Sequence, residues 1–123
     1  MPGLRQSGLS TMTEARLRAG LWASAVVRHA NQSGHPAMVL RRGDADAGGI
    51  LAVLLGRDGR LSVLAQTRAP DGSPAWIRGT GPDPVDQAAA DAYVARQVGR
   101  DPDLWVLEFD APDLTPPFEA TLL

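Results

Sequence analysis

The segment Ile50-Leu51-Ala52-Val53-Leu54-Leu55 constrains the fold more than any other part of the chain. All six residues are apolar, with no polar alternation. A strand with one wet face alternates; a strand covered on both faces does not. Six residues are also too few for a stable helix, and glycines flank the run at Gly48-Gly49 and Gly56, so it reads as a central strand. Before it, Ala37 to Arg42 is a second apolar run ending in two arginines. After it, Gly56-Arg57-Asp58-Gly59-Arg60 offers an Asp-Gly pair suited to the positive φ angles of a tight hairpin, and Leu61 to Thr67 follows with partial alternation. These three strands are expected to form an antiparallel meander.

The rest of the chain supplies two helices and two more strands. Thr11-Met12-Thr13-Glu14 matches a capping box, and Ala15, Ala19, Trp22, Ala25, Val26 and Ala30 then recur on one helical face. Leu17, Ala19 and Leu21 also alternate, so residues 16–21 read equally as a short strand; 21–32 reads as helix. Gly34, followed by Pro36, is the expected left-handed stop. Residues 75–79 read as a short strand paired with 61–67. Asp83-Pro84 is the expected start of a second helix, with Asp83 as N-cap, and Gly99 its expected end. Leu104 to Phe109 reads as a last strand inside the sheet. The order α-β-β-β-β-α-β predicts an α+β domain: an antiparallel sheet of four to five strands with two helices packed on one face. Residues 1–11 are expected to be a disordered extension, 12–110 a single domain, and 111–123, with three prolines, a mobile tail.

Composition removes several function classes. There is no cysteine, hence no disulfide, thiolate nucleophile or Cys-based zinc site. All 12 basic residues are arginine, which excludes a Schiff-base lysine and a P-loop lysine. A net charge of −2 gives no general attraction to nucleic acid or anionic lipid. No apolar run reaches the ~20 residues of a membrane span. A cytoplasmic protein is expected, with no membrane association and no nucleic-acid partner. No Gly-x-Ser-x-Gly, His-Glu-x-x-His or Gly-x-Gly-x-x-Gly occurs, so neither a catalytic residue nor a cofactor is assigned.

The candidate ligand-binding residues are Arg41, Arg42, Asp44, Asp46 and Gly48, around the loop 43–49. Arginine offers forked donors and glycine lets backbone N–H groups approach an anion. Against this, adjacent strand residues point to opposite faces, so Arg41 and Arg42 do not naturally converge. Asp44 and Asp46 suit a hydrated Mg²⁺, but Asp and Gly equally make a plain turn. Trp22, Trp76 and Trp105 sit in apolar patterns and are expected in the core of an aromatic-poor chain. His29 and His35 read as solvent-exposed, and Glu108 as an edge-facing carboxylate paired with Arg96.

Three stretches together carry a family resemblance: Leu21-Trp22-Ala23-Ser24-Ala25-Val26-Val27-Arg28; Arg41-Arg42-Gly43-Asp44-Ala45-Asp46-Ala47-Gly48; and Tyr93-Val94-Ala95-Arg96-Gln97 with Asp101-Pro102-Asp103-Leu104-Trp105-Val106-Leu107-Glu108. Over residues 12–110 the chain resembles domain of unknown function 1491, a family found mainly in alphaproteobacteria. The resemblance implies a bacterial cytoplasmic protein and brings no activity, cofactor or catalytic residue. The tail from Ala111 departs from that pattern.

The reading that follows is a small non-enzymatic binding or interaction module, acting on a protein partner or by self-association as a homodimer. Two alternatives stand beside it. One is a small-anion or nucleotide binder using the Arg41–Gly49 loop. The other is a degenerate restriction-endonuclease-like core, in which Asp46 and Gln66-Thr67-Arg68 fall where the metal-binding Asp and Glu-x-Lys would be. Gln lacks the charge, and Arg is too basic to shuttle a proton.

Overall fold

The structure, a computed structural model, describes residues 19–123. The expected extension at 1–11, the Thr11–Glu14 capping box, Ala15 and residues 16–18 lie outside the described residues. The elements are α1 (Ala19–Gln32), β1 (Ala37–Arg41), β2 (Ile50–Leu55), β3 (Leu61–Arg68), β4 (Pro74–Arg78), α2 (Gln87–Arg100) and β5 (Trp105–Asp110). They form an α+β fold with one five-stranded sheet in the order β1-β5-β2-β3-β4.

As expected, β2 is the middle strand, and Ile50 to Leu54 are buried. Two expectations fail, however. The sheet is mixed rather than antiparallel, because β5 runs parallel to β2, from Ile50 opposite Trp105 to Leu55 opposite Asp110. β5 also lies between β1 and β2, so the first three strands are not a meander; only β2-β3-β4 is. The reason is burial. β5 is apolar on both faces, with Trp105, Val106, Leu107 and Phe109 all buried, and only an interior strand covers both. β1 has one covered face and takes the rim.

The helices are on opposite faces of the sheet, not on one. Ile50, Ala52 and Leu54 pack with Trp105, Leu107 and Phe109 beneath α1, which contributes Ala23, Val26 and Ala30. Leu51 and Val53 pack with Leu61, Val63 and Val106 beneath α2, which contributes Ala90. A one-sided helix layer would leave those five β-strand side chains in water, at about 2 kcal/mol each. The unbroken apolar run at β2 therefore requires both layers. Ala25, expected on the inner face of α1, is exposed; Ala23 takes that place.

Local signals explain the connections. Gly34 adopts φ 88°, while His35 N–H donates to Ala30 O at 2.8 Å and Gly34 N–H to Asn31 O at 3.3 Å, a Schellman end for α1. The Asp-Gly pairs at 58–59 and 71–72 solve the two hairpins alike. In each, the glycine N–H donates to the carbonyl three residues back, at Gly56 and Ala69, and the glycine alone takes positive φ. α2 starts later than expected. Asp86, not Asp83, caps it by accepting from Ala89 N–H at 2.9 Å, because Val85 is drawn into a two-bond bridge with Leu61. It also runs through Gly99 to Arg100.

The proline-rich segment from Ala111, expected as a mobile tail, lies against the α1 face. Phe118 sits 5.5, 5.2 and 5.2 Å from the rings of Trp22, Trp76 and Phe109. Trp76 N–H donates to Thr121 O, and Leu123 N–H to Trp76 O, so the C-terminus pairs with the outer rim of β4. The opposite rim is blunted by a side chain. The Asn31 amide accepts from Ala37 N–H at 2.9 Å and donates to Ala37 O at 3.0 Å, the two bonds a neighbouring strand would offer.

Candidate functional site

The loop 43–49 holds the residues expected to bind a ligand, and its bonds are internal. Asp44 accepts from Asp46 N–H and Ala47 N–H at 3.1 and 2.8 Å, an Asx turn. Gly48 N–H donates to Asp44 O, and Asp44 N–H to Asp103 O. The Trp105 indole N–H donates to Asp44 O at 2.8 Å, and Gly20 N–H to Ala45 O at 2.9 Å. The glycines answer to close approach: a Cβ on Gly43 or on Gly48 would fall onto the Asp103 carbonyl oxygen. Arg41 and Arg42 diverge, as strand alternation requires. Arg41 donates to Pro102 O at 2.9 Å, while the Arg42 guanidinium lies 5.2 Å from the centre of the Trp105 ring. Asp46 contributes its backbone N–H to this network. The five residues thus share one neighbourhood, built on the 102–105 segment, but the two guanidinium groups do not converge.

The other expected positions are dispersed. Trp76 and Trp105 are buried and Trp22 is partly buried, as read from their patterns. His29 is exposed and His35 half-buried. Gln66, Thr67 and Arg68 line a polar concavity of about 310 Å³ with Pro74, at the far end of β3. Among the described residues no three His, Asp or Glu side chains come together as a metal site.

An apolar opening lies elsewhere, on the α2 face beside β1. A groove of about 290 Å³ is lined by Leu40, Val53, Val94, Val98 and Val106, with Glu108 among them. A second lobe of about 270 Å³, with Met38 and Leu55 in its wall, shares Glu108 and continues along the rim. Met38 and Leu40 are 52% and 50% exposed, values unusual for large apolar strand residues. Register explains the placement: Met38 lies opposite Glu108, and a bulge between Val39 and Arg41 sets Leu40 just beyond. α2 presents the stripe Gln87, Ala90, Asp91, Val94, Ala95, Val98 to the groove. Tyr93, Arg96 and Arg100 lie outside that stripe, whereas Glu108 lines the groove. Burial raises the Tyr93 hydroxyl above its ordinary value of 10.0, against the lowering pull of both arginines.

Two features of the sequence belong to this groove and do not by themselves disclose it. Ala37 to Leu40 is apolar at every position, as if covered on both faces, yet ends in two arginines. Glu108 is the one charged residue in the Leu104–Phe109 run.

Among the described residues, no helix is long and apolar enough to cross a membrane. No curated protein matches the chain. A crystal structure of a DUF1491 family protein from Caulobacter crescentus CB15 is 29% identical, with a TM-score of 0.76, covering 87% of this chain and 99% of that one. An NMR structure of a DUF1491 family protein from the same organism is 28% identical, with a TM-score of 0.75, over 88% and 97% of the two chains. The solution structure of protein Atu0922 from A. tumefaciens shares the fold at 21% identity, with a TM-score of 0.70 over 88% and 97%. The model of the family described as protein of unknown function (DUF1491) matches residues 17–119, which takes in most of the proline-rich segment as well as both helices and the whole sheet. The chain belongs to the DUF1491 family.

Proposed function

We propose that this protein is a non-enzymatic interaction module whose partner site is the open groove between α2 and β1. The observation that carries the reading is the exposure of Leu40 beside half-buried Val94 and Val98, with exposed Met38 in the adjoining lobe. The opposite face is closed by α1 and the C-terminal segment, with Phe118 filling the remaining space. On the α2 face the apolar surface continues to the rim of the sheet, and a contiguous patch of that kind marks an interaction site. The Arg41–Gly49 loop gives less support to anion binding, since its glycines and carboxylates serve its own packing.

The test is a photo-crosslinking amino acid placed at Leu40 and, in a separate variant, at Leu21, an equally prominent exposed leucine on α1. In cells of the source organism, position 40 is expected to give a discrete adduct that Val94→Glu abolishes, and position 21 none. Adducts from position 21 alone, or from neither position, would overturn the reading.

A further inference from the structure

The open groove has a definite width and charge, and together they select its occupant. Strands in a sheet are spaced about 4.8 Å apart, and a helix with its side chains is about 10 Å across, so one helix covers roughly two strands. Five strands therefore need two covering elements on each face. The α1 face has them: α1 itself, and the C-terminal segment anchored by Phe118. Among the described residues, the α2 face has α2 alone, over β2 and β3. On the β1 side of it, the strip over β5 and β1 carries Met38, Leu40, Val106 and Glu108, with Val94 and Val98 along the flank of α2.

Charge narrows the choice further. Among the described residues, the acidic ones of the two lobes are Asp91, Glu108 and Asp110, and neither lining includes an Arg, Lys or His. Arg41 donates to Pro102 O, outside both linings, and Arg96 and Arg100 belong to neither lining. A second copy meeting this face across a two-fold axis would set the same carboxylates against one another, which is repulsive. Edge-to-edge pairing of β1 is hindered as well, because the Asn31 amide already takes both backbone groups of Ala37.

Resting on the reading of this groove as the partner site, we propose that its occupant is a basic amphipathic helix of a partner protein. The helix lies beside α2 over β5 and β1, as the missing second helix of that layer. Its apolar residues, spaced i, i+3/i+4, i+7, pack on Met38, Leu40, Val94 and Val98, and an arginine or lysine reaches Glu108. The acidic rim selects the sign of the partner's charge, and the apolar floor supplies the contact area.

The test uses the full chain and three synthetic 18-residue peptides: an Arg/Leu amphipathic helix, the same sequence with Glu for each Arg, and the Arg/Leu peptide with a central proline. Binding is followed by fluorescence polarisation, and the site by methyl NMR of the leucines, valines and methionines. The Arg/Leu helix is expected to shift Met38, Leu40, Val94 and Val98 and no methyl of the α1 face. Its affinity should fall about tenfold in Glu108→Gln and decline with added salt. The Glu/Leu and proline peptides should bind at least about tenfold more weakly. Circular dichroism confirms that Glu108→Gln is folded, and Glu108→Arg, a second variant, should reverse the preference between Arg/Leu and Glu/Leu helices. Equal binding of the acidic helix at these methyls would overturn the charge assignment and leave the groove as a partner site. Equal binding of the proline peptide would overturn the helix. If no peptide shifts these methyls while the crosslink from position 40 persists, the ligand class is wrong and the partner site stands; if both fail, both readings fall.

Discussion

Alanine substitution in the loop 43–49 separates two explanations of its glycines. A phosphate cradle needs glycine for backbone access to a ligand, and alanine there costs binding. In the structure the need is steric and internal: a Cβ on Gly43 would meet the Asp103 carbonyl oxygen and stand 2.6 Å from the Leu104 carbonyl carbon and 2.7 Å from Trp105 Cδ1. Two of those three are backbone atoms, which no rotamer change can move. Gly48 meets the same Asp103 oxygen. Overpacking of this kind costs up to about 3 kcal/mol, and for a domain of this size that corresponds to a fall in midpoint of about 12 °C. Gly49 is the control in the same loop. A Cβ there meets only Leu104 Cδ2, at 3.1 Å, a flexible side-chain end, so Gly49→Ala should cost less than about 1 kcal/mol. Gly59 controls for backbone strain without crowding: its φ of 83° penalises alanine by about 1 kcal/mol, with nothing within 4 Å. Thermal melts followed by circular dichroism and tryptophan fluorescence should rank Gly43→Ala and Gly48→Ala well below Gly59→Ala, and Gly49→Ala nearest the parent. Wild-type midpoints for Gly43→Ala and Gly48→Ala would refute the packing account and return the loop to candidacy as a ligand site.

Two further outcomes follow from side chains that close the domain. Phe118→Ala removes a half-buried ring with three aromatic neighbours, so urea unfolding should show a loss of about 2–3 kcal/mol and altered Trp22 and Trp76 emission; an unchanged midpoint would mean that the C-terminal segment does not hold its place on the α1 face. Tyr93 is the chain's single tyrosine, so its titration by ultraviolet absorbance is unambiguous. Burial raises its folded pKa, the folded state holds the proton more tightly than the unfolded one, and stability should therefore fall as pH rises above about 10, with Tyr93→Phe abolishing that slope. A stability that rises over that interval would contradict the burial of the hydroxyl.

Legibility in the sequence divided along a physical line. Local chemistry was readable. Ile50 to Leu55 declares a strand covered on both faces, Gly34 a left-handed helix end, and Asp58-Gly59 a hairpin bend. Pairing between distant segments was not. β1 and β2 are close in the chain, and only the two-sided burial of β5 forces it between them, a competition decided by the whole sheet. The same run that identified β2 also required helices on both faces, a consequence of Leu51 and Val53 pointing away from Ile50, Ala52 and Leu54. The start of α2 moved because Val85 has more to gain by pairing with Leu61 than by extending a helix from Asp83. At the candidate site the residue types allow both a ligand site and plain turn chemistry with diverging arginines, and the bonds within the structure are those of a loop clamped on Asp103 and Trp105. The groove is not legible in the sequence because its residues come from separate elements, and apolar positions on a rim strand look the same in sequence as those of a core strand.

The open half of the α2 face is most directly tested by methyl NMR of the full chain with a paramagnetic co-solute, recorded at two protein concentrations. The Met38 and Leu40 methyls should broaden strongly, Val94 and Val98 moderately, and Leu54 and Leu107 not at all, with the same pattern at both concentrations. Protection of Met38 and Leu40 to the level of Leu54 would show that this face is already covered, by the chain itself or by a second copy, and would contradict its assignment as the site that receives a partner.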